Sequence, residues 1–198
     1  KYSKIKIMSV WKKVKLKNLI KYKTGKLDSN AMEEDGKYPF FTCDPKTFLI
    51  NTYAFDTTAI LLAGNNAKGI FPIKFYSGKF NCYQRTYVLE NKDNNISDLK
   101  FLFFAIKIQL KFLGNMSSGS TTKFLTKGMI ENLIVELPSL KTQKKISKIL
   151  TYYDDLIKNN LNRIALLEEY GKLIYEEWFL RFKIDNKESN IDKSTNLP

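Results

Sequence analysis

The chain has 198 residues, 43% of them hydrophobic and 14% aromatic, enough for one well-cored domain or one domain with an appendage. Its 33 Lys and Arg against 20 Asp and Glu leave a net charge of +13 with no His, so neither a Ser-His-Asp nor a Cys-His triad is available. Cys43 and Cys82 fall short of the four ligands of a structural zinc site and of a disulfide framework, and they fit a reducing compartment.

The basic excess sits at the start. Residues 1–26 carry ten Lys and no acid, a net +10, whereas residues 27–140 net +1 and residues 141–198 net +2. Such a patch attracts polyanions, nucleic acid first, although Lys-rich composition also follows from a low-G+C genome. Lys1 opens the sequence, and Met8 offers a native start. Residues 11–16 alternate large apolar side chains with Lys, as a half-buried strand does. Tyr38-Pro39-Phe40-Phe41 follows an Asp35-Gly36 turn, and the wholly apolar residues 59–63 predict a buried strand. Residues 69–75 and 83–89 read as a strand pair joined around Ser77-Gly78.

Ser97 is the expected N-cap of a helix, with Leu99, Leu102, Phe103, Ile106, Leu110 and Leu113 at helical spacing. The longest apolar run, residues 101–106, is too short for a membrane span or a secretory core, so a cytoplasmic protein is expected. Thr126 is placed to cap a short helical turn, and residues 133–137 return to strand. Residues 8–138 thus read as a mixed α/β (α+β) domain. After Pro138 the pattern changes, and residues 139–182 predict one long helix of roughly 60 Å. Its apolar positions follow a heptad: Ile146, Tyr153, Asn160, Leu167 and Ile174 in one register, Leu150, Ile157, Ile164, Gly171 and Trp178 in the other. Such a seam calls for a partner helix, unless the helix folds back on its own domain. Asn160 would fix register, and Gly171 would allow close approach. Residues 183–198 read as a polar tail.

Enzyme motifs are missing. There is no phosphate-binding Gly-x-x-x-x-Gly-Lys-Ser/Thr loop, no Gly-x-Gly-x-x-Gly, and no Asn/Asp-Pro-Pro-Tyr/Phe of the amino-methyltransferases. The acidic pairs Asp154-Asp155, Glu168-Glu169 and Glu176-Glu177 have the spacing of a solvated helix face. Three loops carry binding chemistry instead. In Gly64-Asn65-Asn66-Ala67-Lys68-Gly69 the glycines permit close backbone approach, Asn suits an adenine edge and Lys a phosphate. Asn81-Cys82-Tyr83-Gln84-Arg85 offers Gln for adenine and Arg, a scarce residue here, for guanine. In Ser117-Ser118-Gly119-Ser120-Thr121-Thr122-Lys123, the hydroxyls of Ser118, Ser120 and Thr121 and the Lys123 ammonium are donors for phosphate oxygens. A plain turn, an inward-facing strand and a Ser/Gly linker, respectively, would use the same residues.

Gly119-Ser120-Thr121, Phe124-Leu125, Ile130, Leu133-Ile134 and the run from Leu137-Pro138-Ser139-Leu140 to Gln143 and Ile146 resemble the end of a target recognition domain of a Type I restriction–modification specificity subunit. Ile149-Leu150, Asp154-Asp155, Ile157, Leu167-Glu168 and the closing residues from Trp178 to Phe182 are similar to that family's helical region. Trp11, Leu16, Gly25, Tyr38-Pro39-Phe40 and the glycines 64, 69 and 78 fit its earlier part. Ser139 stands where a second Pro is common, and one recognition domain with one helical region is present where the usual subunit has two of each.

The resemblance implies a non-catalytic reader of double-stranded DNA that binds half of a split target, spaces two half-sites with its helix and docks modification (methyltransferase) subunits. It implies a restriction (translocase/nuclease) subunit in the complex. S-adenosylmethionine, ATP and Mg2+ belong to those partners, with no cofactor and no metal in this chain. Homodimerisation, or pairing with a different half-subunit, would supply the second half-site reader. A coiled-coil adaptor whose α/β domain binds protein is the alternative from another class.

Overall fold

The structure, a computed structural model, describes residues 11–66, 69–116, 123–181, 183–184 and 187–188, with side chains not described at 112–116, 183–184 and 187–188. In chain order the elements are β1 (Lys12–Lys15), a 3-10 turn (Leu16–Asn18), β2 (Ile20–Thr24), β3 (Tyr38–Phe41), β4 (Phe48–Ile50), β5 (Phe55–Ala63) and β6 (Asn65–Asn66). Then come β7 (Ile73–Cys82), β8 (Thr86–Asn91), α1 (Leu99–Met116), β9 (Lys123–Phe124), α2 (Lys127–Asn132), β10 (Ile134–Leu137) and α3 (Leu140–Tyr175). A π-helical turn (Glu176–Leu180) and the short strands β11 (Lys183–Ile184) and β12 (Lys187–Glu188) follow. The expected mixed α/β domain followed by a long helix is what the chain forms.

Two compact units divide between Lys148 and Ile149, past the change of pattern at Pro138. The first turns of α3 count with the first unit because Gln143 is fully buried there. Its Nε2 donates to the carbonyls of Pro138 (2.9 Å) and Ile96 (3.2 Å), and its Oε1 accepts from the Asp98 N–H (2.9 Å). A buried amide with all three groups answered locks the start of one helix to the start of another. Ser139 caps α3, its Oγ accepting from the Thr142 N–H (3.4 Å).

The first unit is built on a six-stranded sheet in the order β2-β8-β5-β7-β3-β4, antiparallel except for the parallel β3–β7 pair. β5 is central, so both its faces are covered, which is why residues 59–63 are apolar without alternation. Ala59 and Leu61 pack with Phe41, Phe80, Cys82 and Val88. Ile60, paired with Phe75 and Leu89, lies on the other face, where Phe75 meets Phe103 of α1 edge-on at 6.0 Å. β1 pairs with β10 separately, and β6 with β9.

Three local expectations are corrected. Ser77-Gly78 is no hairpin turn: β7 runs straight through it, and Gly78 adopts φ 127°, a bend that only Gly makes without strain. The chain reverses at residues 83–85, closed by Thr86 N–H to Tyr83 O (2.8 Å), and β8 then pairs with β5 and β2, not with β7. The cap of α1 is Asp98, whose Oδ1 accepts from the Phe101 N–H (2.7 Å); Ser97 is one residue early and donates to Asn91 Oδ1 (2.5 Å). Beyond Tyr175 the long helix widens into the π turn, with Arg181 N–H bonding five residues back to Glu176 O (2.9 Å) and Tyr175 stacked on Phe179. Within the expected tail, Lys183–Ile184 and Lys187–Glu188 pair antiparallel. Among the described residues no helix is long and apolar enough to cross a membrane.

Burial pushes the Cys82 thiol from its ordinary 9.0 up to about 12, against a lowering contribution from the Gly25 backbone. A raised pKa in the fold means that the contribution is intact below about pH 9 and is lost as pH rises toward 12. Burial pushes Tyr87 up as well, adding to this loss, whereas desolvation lowers Lys74 and works the other way. Thermal melting at about pH 8 and about pH 10.5 should therefore show an alkaline loss of stability that is smaller in Cys82→Ala.

Candidate nucleic-acid interface

The three loops singled out in the sequence are far apart in the chain, yet parts of all three meet. β6 carries Asn65 and Asn66, and it pairs antiparallel with β9: Asn65 opposite Phe124 and Asn66 opposite Lys123. Gly64, the last residue before β6, is bound on both sides. Its N–H donates to Arg85 O (2.8 Å), and its carbonyl accepts from Leu125 N–H (2.8 Å). One residue thus clips the 83–85 turn to the strand that follows the Ser/Gly-rich loop. A Cβ on Gly64 would lie 2.6 Å from Arg85 O, so the clip requires Gly.

Arg85 is exposed, and its guanidinium lies over the Phe124 ring with Cζ 5.9 Å from the centroid. The Lys123 side chain runs against Gly69, whose φ of +68° and lack of a Cβ leave it room. A fourth segment borders the group. The Cys43 thiol reaches Arg85 O (3.6 Å), and Lys74 Nζ holds the loop after Cys43 through Asp44 O (3.2 Å), Lys46 O (2.8 Å) and Thr47 Oγ1 (3.1 Å). Burial lowers the Lys74 pKa, with Asp44 opposing the shift. Asn65 Oδ1 is buried without a hydrogen-bond partner among the described residues. The chemistry on offer is that of a polyanion surface: Arg, Lys and Asn side chains on a rigid backbone frame.

The other predicted residues divide. Asn81 is corrected: it is 5% exposed in β7, its Oδ1 accepts from Cys82 N–H (3.0 Å), and its Nδ2 reaches Thr52 Oγ1 (3.4 Å), so it faces the interior. Tyr83 is half-buried, with its N–H bonded to Phe41 O (2.9 Å). Gln84 is exposed, and its Nε2 donates to Asp28 Oδ1 (2.8 Å). Lys68, Ser118, Ser120 and Thr121 lie outside the described residues. Of the N-terminal lysines, Lys12, Lys13 and Lys15 lie on β1 and Lys21 and Lys23 on β2, where Lys13 meets Glu136 (3.9 Å) and Lys23 meets Glu90 (3.2 Å). Phe124 and residues 43–47 are additions. An aromatic side chain beside a donor-rich loop was the available signal for the first; the Lys74 tether has no sequence signature.

Along α3, Ile146 in the first unit and Leu150 and Ile174 in the second are half-buried. Tyr153, Ile157, Ile164, Leu167, Trp178, Asn160 and Gly171 are exposed. The exposed apolar surface is wider than the heptad predicts. Leu166, Tyr170 and Leu173 are 64%, 63% and 52% exposed. At 3.6 residues per turn Leu166 and Leu173 fall roughly opposite Ile164 and Gly171, and Tyr170 falls between them and the seam residues Leu167 and Ile174. The apolar surface of this part of the helix is thus a broad band that runs from the seam past Leu167 and Tyr170 to Leu166 and Leu173.

A basic α/β unit with converging loops and a helix carrying bare apolar faces are features of a DNA-specificity module. The match with the Type I restriction modification DNA specificity domain runs over residues 8–169, and the chain belongs to that family. It is 43% identical over 164 residues to the EcoDI Type I restriction enzyme specificity subunit of Escherichia coli, covering 83% of this chain and 35% of that subunit. The MjaVIII specificity subunit of Methanocaldococcus jannaschii is 25% identical over 210 residues, covering 98% of this chain and 48% of the relative. The fold matches a crystal structure of a Type-I restriction-modification system S subunit from M. genitalium with a TM-score of 0.72 at 21% identity, over 86% of this chain and 46% of that one. The chain spans half or less of the length of these relatives.

Replacing Gly64 by Ala tests the clip. The 2.6 Å contact forces the 83–85 turn away, and overpacking of this kind costs about 1–3 kcal/mol. The expected result is a lower melting temperature together with faster amide exchange at Leu125 N–H; unchanged exchange would show that the turn and the strand are held by something else.

Proposed function

We propose that this chain is a non-catalytic reader of double-stranded DNA, acting as a specificity subunit or half-subunit of a Type I restriction–modification enzyme in the cytoplasm. Its α/β unit binds one half of a split target. The observation that carries this reading is the convergence of Gly64, Asn65, Asn66, Arg85 and Lys123 on one hydrogen-bonded frame. Arg85 suits guanine O6 and N7, an Asn such as Asn66 suits adenine, and Lys123 suits phosphate. Ser118, Ser120, Thr121 and Lys68 belong to the same phosphate-binding set by their chemistry.

The helix is the second half of the proposal. The face with Tyr153, Ile157, Asn160, Ile164 and Gly171 pairs with the helix of a second copy or of a different half-subunit, which brings a second recognition unit and sets the spacing between half-sites. The face with Leu166, Tyr170 and Leu173 docks the modification (methyltransferase) subunits. An exposed apolar band wider than one helix–helix seam supports two kinds of partner. Methyl transfer, cleavage, and the S-adenosylmethionine, ATP and Mg2+ they consume belong to the modification and restriction subunits. In a homodimer the target is a palindrome interrupted by a spacer.

Duplex binding measured between about 50 and 200 mM salt tests the reading, because each neutralised phosphate contributes about −0.9 to the slope of log K against log salt. A steep slope with sequence preference is expected; a flat slope would favour protein binding instead. Arg85→Ala should weaken specific binding by about 1–3 kcal/mol and relax one base position, read by competition against single-base-pair variants of the target. Asn160→Leu should tighten helix pairing while loosening its register. Sedimentation equilibrium reports the first effect and cysteine cross-linking along α3 the second; unchanged values in both would take Asn160 off the seam.

A further inference from the structure

We propose that Phe124 is a specificity-determining residue of this face: its exposed ring is the platform that aims the Arg85 guanidinium at one base pair. The inference rests on the DNA-reading assignment above and adds a positioning residue whose side chain has no hydrogen-bonding group of its own.

Arg85 is the only Arg before residue 163. Among the described residues its guanidinium makes neither an ion pair nor a hydrogen bond, and it lies over the Phe124 ring at 5.9 Å. All five of its N–H donors therefore remain for a ligand. Phe124 is 54% exposed beside Leu125 at 1%, so its ring lies outside the core to which its neighbour belongs. An exposed Phe loses the benefit of burial unless it covers something, and a flat cation within about 6 Å of the centroid is what a ring attracts.

The backbones of the pair are tied to each other. Arg85 O takes the Gly64 N–H, Gly64 O takes the Leu125 N–H, and Phe124 stands opposite Asn65 in the β6–β9 pair. The separation of ring and guanidinium is thus set by a hydrogen-bonded frame and not by independent loops. A ring against one side of the guanidinium removes rotamers that a free Arg would lose on binding, and it leaves the N–H edge for guanine O6 and N7.

The test co-expresses the chain with its methyltransferase subunit and maps methylated sites in the host genome for wild type, Phe124→Leu, Phe124→Tyr and Arg85→Ala. Phe124→Leu should lower discrimination about 2–5-fold at the base pair that Arg85→Ala relaxes, with the other positions unchanged. Phe124→Tyr, which keeps the ring, should restore it. The salt slope of the purified complex should not move in Phe124→Leu, because no phosphate contact is lost. Full discrimination at that base pair in Phe124→Leu, equal loss at every position, or an Arg85→Ala variant that relaxes no base pair would each overturn the proposal. Absence of any site preference in the wild type would sink the DNA-reading assignment itself, a different result from a wild-type preference that Phe124→Leu leaves intact.

Discussion

Gly64 is the residue on which the arrangement depends. It follows directly on β5, the strand buried on both faces, and it spends its two backbone groups on two different loops. The stiffness of a close-packed core is in this way passed to the segments that carry Arg85, Lys123 and Phe124. A surface reader needs such a connection, because loops ordered only on binding cost affinity through lost conformational freedom. The requirement at position 64 is steric: any side chain would meet the carbonyl that the clip uses.

The same economy appears on the neighbouring edge. Lys74 leaves β7 and ends on three oxygens of residues 44–47, its Nζ over the Phe41 ring at 5.6 Å from the centroid. Half-burial of an ammonium is unfavourable unless its donors are answered, and here three acceptors converge. The loop is therefore held from inside the sheet. Cys43, whose thiol reaches Arg85 O, thus borders the site next to a segment tethered to β7, although that segment has no regular structure of its own.

The elements legible in the sequence were those decided by local chemistry. The apolar run at residues 59–63, the Thr126 cap and the helix after Pro138 each follow from neighbours a few residues away. The failures share one cause. Ser77-Gly78 has turn composition, but its neighbour in space is Thr57–Thr58 on β5, and pairing over that separation overrides the local preference. Asn81 has a reader's side chain, but the parallel pairing of β3 with β7 turns it inward. The choice of loops for the site was legible from residue type alone. Their meeting was not, because the β6–β9 pair joins segments with two strands and a helix between them in the chain.

The long helix presents the opposite problem to the sheet. Its sequence announces a seam, yet the exposed residues occupy more of its circumference than one seam needs. Leu166 and Leu173 repeat at seven residues on a face away from Ile164 and Gly171, so the heptad is present twice, in two phases. Two registers on one helix are uneconomical for a simple pair, since the second stripe stays in water at roughly 25 cal/mol per Å² of apolar surface. They suit a helix that is covered from both sides. Asn160 lies in the first stripe, whereas Leu166 and Leu173 make the second apolar. Pairing with a like helix, as proposed, would have its register set by Asn160 on the first stripe, and a preformed partner would suit the less polar second one.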